Sequence, residues 1–580
     1  MQKDAHRIYQ WIMVSSRPLF VEELAEVFAI NFDEEMSGIL KFEPSWRDSN
    51  AETAVLSACS TLVAIVDGWD SRSRKTKKIV QFSHFSVQEY LTSDRIANAE
   101  HVSRFHIHPE PAHTLLAKAC LSLLLHPDHS FEKVDTMDFP LITYAAEHWV
   151  EHARFRDVLS YIWDGIDLLF DKEKPHFATW VGVYNIDEDG YLPGGDTPEE
   201  CHPFPLYYTA LCGVGGLVER LLTAHPQDPD AAEGYYGAPL NAALVKGYLD
   251  NAQFLLDHGA VGENMGRHAQ TGLYIASSRG YANVVRSLID CGADLNARCR
   301  DWDTDFGDEV WWTPLHAAIY NDHPDIALLL LEGGADPETR SSDDQTALGM
   351  ASFRGQANVV RSLIDRGADL NAKSEDWHRG GYYVEWAPLF MAIEKNRQDI
   401  VLLLLEGGAD TEIRNCYKET PLYKASLYGC ADIVRQLIGH GSDLNAESGL
   451  GTALHGASWD GSPEISRILL EHGANPNALD RCGRTALHLA ENATVVELLL
   501  RYGVNVDVRN NEGWTPLHEA AKSLNLQVLV ALLGHSADPH AETNMGETPF
   551  QLANAPYEWA SKEDQAQVIQ LLSERTGERV

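Results

Sequence analysis

From about residue 205 onward the chain repeats itself every 33 residues, and that period constrains the fold more than any other feature. The pattern is written Thr313-Pro314-Leu315-His316-Ala317-Ala318, Thr515-Pro516-Leu517-His518-Glu519-Ala520 and Thr420-Pro421-Leu422-Tyr423-Lys424-Ala425. Looser copies read Thr452-Ala453-Leu454-His455, Thr485-Ala486-Leu487-His488, Thr346-Ala347-Leu348 and Ala387-Pro388-Leu389. Aligned on the leucine, or on Phe550 in the last copy, they fall at 206, 240, 273, 315, 348, 389, 422, 454, 487, 517 and 550. The steps are 34, 33, 42, 33, 41, 33, 32, 33, 30 and 33, a period of 33 with two insertions and one deletion. A unit this short cannot bury its apolar face alone, so neighbours must stack into one continuous core.

Each copy carries its own punctuation. Thr stands where a helix N-cap is needed, and Pro sits in the first turn, where no amide donor is required. His316, His455, His488 and His518 are expected to bond back to the capping Thr and to neighbouring turns, a structural role rather than a catalytic one. The second half of a unit is an apolar helix such as Val359 to Ile364, closed by Gly367-Ala368-Asp369. Glycine there supplies the left-handed C-cap. In these residues the array resembles the ankyrin repeat over roughly two thirds of the chain. The resemblance implies helix pairs joined by β-hairpin fingers, and a protein ligand held on the concave face and the fingers.

Two units are long. Ala282 to Asp290 recurs letter for letter at 357–365, and Leu328 to Asp336 recurs at 402–410, so a two-unit block has been duplicated with its insertion. The inserted fingers span 298–312 and 373–386. The first holds Asp301, Trp302, Asp303, Asp305, Phe306, Asp308, Glu309 and Trp311; the second holds Glu375, Asp376, Trp377, His378, Tyr382, Tyr383 and Glu385. Aromatics bracketed by acids on a projecting loop suit a protein-binding hot spot. The competing expectation is that the rings fold back on the neighbouring finger. Trp302, Phe306, Trp311, Trp377, Tyr382 and Tyr383 are the expected contact residues. Trp312, Trp386 and Trp514 stand directly before the Thr-Pro-Leu position and are expected to be scaffold. Asp301, Asp303 and Asp305 miss the calcium-loop pattern, because Gly307 falls one place late and Trp312 replaces the closing Glu. The unit at Leu487 is three residues short, so its first helix or its inter-helix turn must be clipped. A polar helix from Glu558 to Glu574 is expected to cap the array, with Val568, Ile569, Leu571 and Leu572 inward and Gln565, Gln567 and Gln570 toward water.

The first two hundred residues lack the period. Helices are expected from Arg7 to Val14, from Val21 to Phe28 and from Glu52 to Thr61. A strand Leu62–Val66, a polar turn Gly68–Lys78, a strand Ile79–Phe82 and a helix His84–Leu91 should follow. Three helices and a hairpin make a winged-helix pattern. Arg17-Pro18-Leu19, Glu22-Glu23-Leu24 and His84-Phe85-Ser86-Val87-Gln88-Glu89-Tyr90-Leu91 resemble the GPI inositol-deacylase-type winged helix of fungal NACHT–ankyrin proteins. Ala112 to Leu125 and Phe139 to Trp149 are similar to the helical stretch after it. The resemblance implies a STAND-class, NLR-like signalling switch and a NACHT-type ATPase as partner. This sequence has no G-x-x-x-x-G-K-[ST] and no Gly-Lys dipeptide, so no ATPase site carries over. Nor is there a G-x-S-x-G elbow, so no esterase activity does. The chain reads as the rear half of such a protein.

The expected fold is therefore mainly α: a winged-helix domain at 1–95, a helical extension at 96–170, an acidic linker or loop at 171–204, and an ankyrin-repeat α-solenoid with β-hairpin fingers at 205–580. Of the 580 residues, 46 are Lys or Arg and 85 are Asp or Glu, a net charge of −39, which repels phosphate and speaks against nucleic acid and anionic membrane. Arg72, Arg74, Lys75, Lys77 and Lys78 in the wing are the exception and keep a DNA-binding reading open. His101, His106, His108 and His113 with Glu110 follow no zinc-ligand motif. Catalytic, cofactor and metal residues are expected to be none. No apolar run has the length of a membrane span. The acidic first thirty residues do not read as a signal peptide. Nine cysteines without a C-x-x-C pair point to reduced thiols and a cytoplasmic or nuclear protein. The expected role is protein–protein recognition and ligand sensing, with a stand-alone ankyrin scaffold as the alternative.

Overall fold

The computed structural model describes residues 2–36, 39–47, 50–59, 62–70, 75–99, 102–126, 139–171, 174–184, 205–224, 228–231, 234–301, 310–342, 344–378, 382–555 and 561–577. The chain divides into two compact units, residues 1–275 with 291–293, and residues 276–290 with 294–580.

The first unit opens with helices Gln2–Val14, Val21–Glu26 and Ala51–Cys59 and a hairpin of strands Val63–Asp70 and Lys75–Phe82. A short strand, Leu19–Phe20, pairs antiparallel with the second hairpin strand, Leu19 opposite Val80. Sheet order is thus Leu19–Phe20, Lys75–Phe82, Val63–Asp70, with the two long strands running antiparallel from the Val63–Phe82 pair to the Asp70–Lys75 pair. The strands extend through most of the expected Gly68–Lys78 turn, because ladder bonds override the polar composition of that stretch. An additional two-stranded sheet, Ile30–Met36 with Ile39–Phe42, was not foreseen from the sequence.

Helices Pro109–Leu124 and Pro140–Ala153 follow and bury Leu116, Cys120, Tyr144 and Trp149. Part of the stretch expected as a linker is a helix, His176–Val183. Its Phe177 and Trp180 are buried, and Trp180 Nε1 donates to the Ala146 carbonyl at 2.9 Å. Residues 185–204 of that stretch lie outside the described residues. The first repeat helices, Pro205–Cys212 and Leu217–Ala224, join this layer. Tyr208 meets Phe177 edge-on at 5.6 Å between centroids, and the Arg154 guanidinium lies 4.3 Å over the Tyr248 ring while donating to the Cys212 carbonyl. The helical extension therefore covers the open end that a first repeat would expose.

In the second unit helix pairs succeed one another from Pro314–Tyr320 and Pro324–Gly333 to Pro549–Ala553 and Lys562–Thr576. First helices stack on first helices and second helices on second helices. Each second helix buries one stripe, as Ile326, Ala327, Leu330 and Leu331 do, at about 1.5–3 kcal/mol per fully buried side chain. In the short unit the first helix is reduced to a single 3-10 turn, Ala486–Leu489, before helix Ala493–Arg501. Most second helices end in a left-handed glycine, for example Gly334 at φ +100° and Gly441 at φ +86°. One unit places Ser536 there instead, at φ +65°. The closing helix, Lys562–Thr576, buries Val568 and Leu572 as expected. Gln565 departs from expectation: its amide turns inward and donates to the carbonyls of Ala553 and Ala555, both at 2.8 Å.

Candidate functional site

The exposed edge of the array is held in place by a repeated polar relay. Thr452 caps its helix, and its backbone N–H donates to His455 Nδ1 at 3.1 Å. The ring's hydrogen therefore sits on Nε2, which donates to the Arg484 carbonyl of the next unit at 3.0 Å. His488 bridges Thr485 and the Trp514 carbonyl, and His518 bridges Thr515 and the Glu547 carbonyl, each with Nε2 at 3.1 Å from the oxygen. His316 reaches the Gln345 carbonyl at 3.2 Å. Burial lowers all four and takes His316 and His488 to about 4, so the rings are neutral connectors between units. The structural expectation for these histidines holds.

Both long fingers begin as antiparallel hairpins. In the first, Cys299–Asp301 pairs with Val310–Trp312; in the second, Ser374–His378 pairs with Tyr382–Trp386. Trp302 and Phe306 lie outside the described residues. Trp311 is half-buried, its ring lies under the Arg300 guanidinium at 5.5 Å, and its backbone N–H donates to Ser342 Oγ at 2.9 Å. Trp377 stands opposite Tyr383 and His378 opposite Tyr382 in the second hairpin; side chains there are outside the described residues. Trp312 and Trp386 are buried at the hairpin bases, Trp312 4.5 Å from the Tyr320 ring and Trp386 among Ala387, Phe390 and Met391. Those two are scaffold.

Sequence reading missed a second set of exposed apolar groups on the ordinary units. Tyr417, Leu450 and Met545 sit at finger turns, and Tyr428 and Trp459 at the ends of first helices. The signal was available, since the residues just before the capping Thr and at the end of a first helix occupy the array's open edge. Their identities follow no period, so pattern reading passes over them.

The family described as Ankyrin repeats (3 copies) matches residues 206–299, 299–374, 376–448, 454–543 and 491–577, well over half of the chain. The chain belongs to the ankyrin-repeat family. Residues 1–107 match the GPI inositol-deacylase, winged helix domain, in keeping with the sheet described above. The chain is similar to "Azaphilone pigments biosynthesis cluster protein L" of Monascus ruber, 33% identical over 44% of this chain and 55% of that protein. It is also similar to "Ankyrin repeat domain-containing protein SAT10" of Stachybotrys chartarum, 30% identical over 41% of this chain and 12% of that protein. The chain thus spans about half or less of the length of these relatives. Among solved structures, the ankyrin repeat domain of Bcl-3 is 27% identical, covering 40% of this chain and 98% of that one with a TM-score of 0.34. Ankyrin relatives point to a protein–protein interaction module.

The basic wing of this ankyrin protein is largely neutralised where it is described. Lys77 pairs with Asp70 at 2.8 Å and lies 4.6 Å over the Phe20 ring, and Lys78 pairs with Glu52. Arg72 and Arg74 lie outside the described residues. His106 and His108 touch each other at 3.1 Å, whereas His113 Nδ1 faces His152 Nδ1 at 2.9 Å. His152 in turn meets the Tyr144 hydroxyl at 3.0 Å, and burial first, then His113 and His148, lowers it to about 3. Among the described residues no group of three or more His, Cys, Asp and Glu is placed to hold a metal ion, and no helix is long and apolar enough to cross a membrane.

Proposed function

We propose that this chain is the ligand-sensing and regulatory half of a NACHT–ankyrin-type signalling protein, without an ATPase site of its own. Its array grips a protein ligand through the concave edge and the two long fingers. Trp302, Phe306, Trp311, Trp377, Tyr382 and Tyr383 make the contacts. The observation that carries this reading is the pair of inserted hairpins, duplicated with their aromatics and acids. A scaffold needs neither the extra length nor that composition; a recognition edge uses both. Buried Trp312 and Trp386 anchor the two hairpin bases, which lowers the ordering cost of presenting the finger residues on binding.

The front region docks a NACHT-type ATPase. Support comes from its helix Phe85–Leu91, which leaves Phe85 and Tyr90 exposed on the winged-helix domain. The protein acts as a non-enzymatic module in the cytoplasm or nucleus. The experiment replaces the six finger aromatics by Ala in the full chain and measures capture of the protein ligand, with thermal unfolding as the control for folding. The reading predicts loss of capture with folding intact. Unchanged capture would end the finger assignment.

A further inference from the structure

The array neutralises some of its exposed aromatics with cations from the next unit. Tyr320 is the fifth residue after Leu315, and the Arg354 guanidinium, sixth after Leu348, lies 4.3 Å over its ring. Phe353 is the fifth residue after Leu348, and the Lys395 ammonium, sixth after Leu389, lies 4.4 Å over its ring. Both rings are half-buried. Trp459 holds the same place, fifth after Leu454. Its cation would come from the sixth residue after Leu487, but that unit is three residues short and its first helix stops at the turn Ala486–Leu489. The sixth position is Ala493, already the start of the second helix. Among the described residues no cation lies over Trp459, and the ring is left 57% exposed.

Asp460, the next residue, takes in its own unit the place that Arg354 and Lys395 hold in theirs, and its carboxylate lies toward Gly429 of the preceding unit rather than over the ring. The Glu491 N–H donates to the Ser458 carbonyl at 3.1 Å, while the Glu491 carboxylate accepts from the Asn525 amide at 2.9 Å, so the shortened unit brings its backbone to this edge and no cation. An open aromatic face at a position where other units carry a cation, on a chain of net charge −39, fits a guanidinium that stacks on the ring.

We propose that Trp459 receives an arginine side chain from an extended segment of a partner protein, which takes the place the shortened unit leaves empty. This rests on the reading of the array as a protein-recognition module and names the chemistry of one contact on it. The ligand's arginine does in trans what Arg354 and Lys395 do in cis. The deletion that looked like damage to a repeat becomes a receptor for a specific side chain.

The test uses the full chain and a fluorescein-labelled peptide of arginines spaced by Gly-Ser, followed by anisotropy. Its twin carries citrulline at every arginine. The proposal expects Trp459→Ala to weaken the arginine peptide about fivefold while Trp459→Phe keeps most of the affinity. The citrulline peptide should bind weakly to every variant. Equal binding by wild type and Trp459→Ala would overturn the proposal, because that substitution leaves the protein's charge unchanged and so separates ring capture from general attraction to an acidic surface. Equal binding of the citrulline peptide would overturn it too. Capture of the protein ligand by the finger aromatics is read in a separate experiment, so either reading can fail alone.

Discussion

The two ends of this molecule satisfy their buried polar groups by opposite strategies. In the array each relay histidine reaches one unit ahead, 29 residues on for His316, His455 and His518 and 26 for His488. In the front region the partners are far apart. The Ser16 N–H donates to the Tyr144 hydroxyl across 128 residues, the Leu141 N–H to Glu26 across 115, and the Leu40 N–H to Ser122 Oγ across 82. A rule written four times in an array of eleven copies tolerates local damage, as the clipped unit at Leu487, which keeps His488 in place, demonstrates. A network written once does not. Recognition surfaces can therefore vary along the array, while the front region is held to one arrangement.

That contrast can be broken most forcefully at Glu26. Its carboxylate is buried, accepts the Leu141 N–H at 2.6 Å and pairs with Arg47. Glu26→Ala should destabilise the front region by about 3 kcal/mol, read by urea unfolding, because it strands a guanidinium and an amide. A loss no larger than that of a surface substitution would mean the network is as redundant as the repeats. Next, His316→Leu should cost the array about 2 kcal/mol by removing the buried ring's bonds to Thr313 Oγ1 and to the Gln345 carbonyl, which keeps only the Ser341 donors. The same relay sets a pH window. In the unfolded chain these histidines take up a proton near 6.5, whereas His316 and His488 in the fold resist protonation down to about 4. The unfolded state then binds more protons, so the contribution is complete above pH 6.5 and is lost as pH falls toward 4. Unfolding midpoints between pH 7.5 and 4.5 should fall, with a shallower fall in His316→Leu; parallel curves would contradict the assignment. The smallest effect expected is a gain. Ser536 occupies the left-handed site that glycine takes in other units, so Ser536→Gly should raise array stability by about 1 kcal/mol. No gain would show that the Ser536 conformation carries no strain.

The same contrast explains what could be read from the sequence. Most first helices of the array were legible, because Leu recurs with Thr or Pro before it, each with a local job; in the unit at Leu487 the clipped element was left open between first helix and turn. The relay was legible for the same reason. The hairpin strands of the wing ran further than expected, since Gly68, Asp70 and Lys75 look like turn residues until the ladder pairs them. Strands Ile30–Met36 and Ile39–Phe42 went unseen, because their support comes from helix Pro109–Leu124 and no local pattern announces it. The helix His176–Val183 hid in a stretch whose acidic, glycine-rich later part dominated the composition. The finger aromatics were visible as letters, yet Trp311 against Arg300 shows that the same letters also serve the hairpin itself. Trp459 was invisible as a site, because its meaning lies in what the following unit lacks.

Hydrogen exchange on the full chain, free and saturated with its captured protein ligand, tests the account most directly. The account predicts that new protection concentrates in the fingers at 298–312 and 373–386 and along first-helix ends around Tyr428 and Trp459, with second helices such as Pro324–Gly333 unchanged. Protection confined to the second helices, or to none of the array, would contradict it.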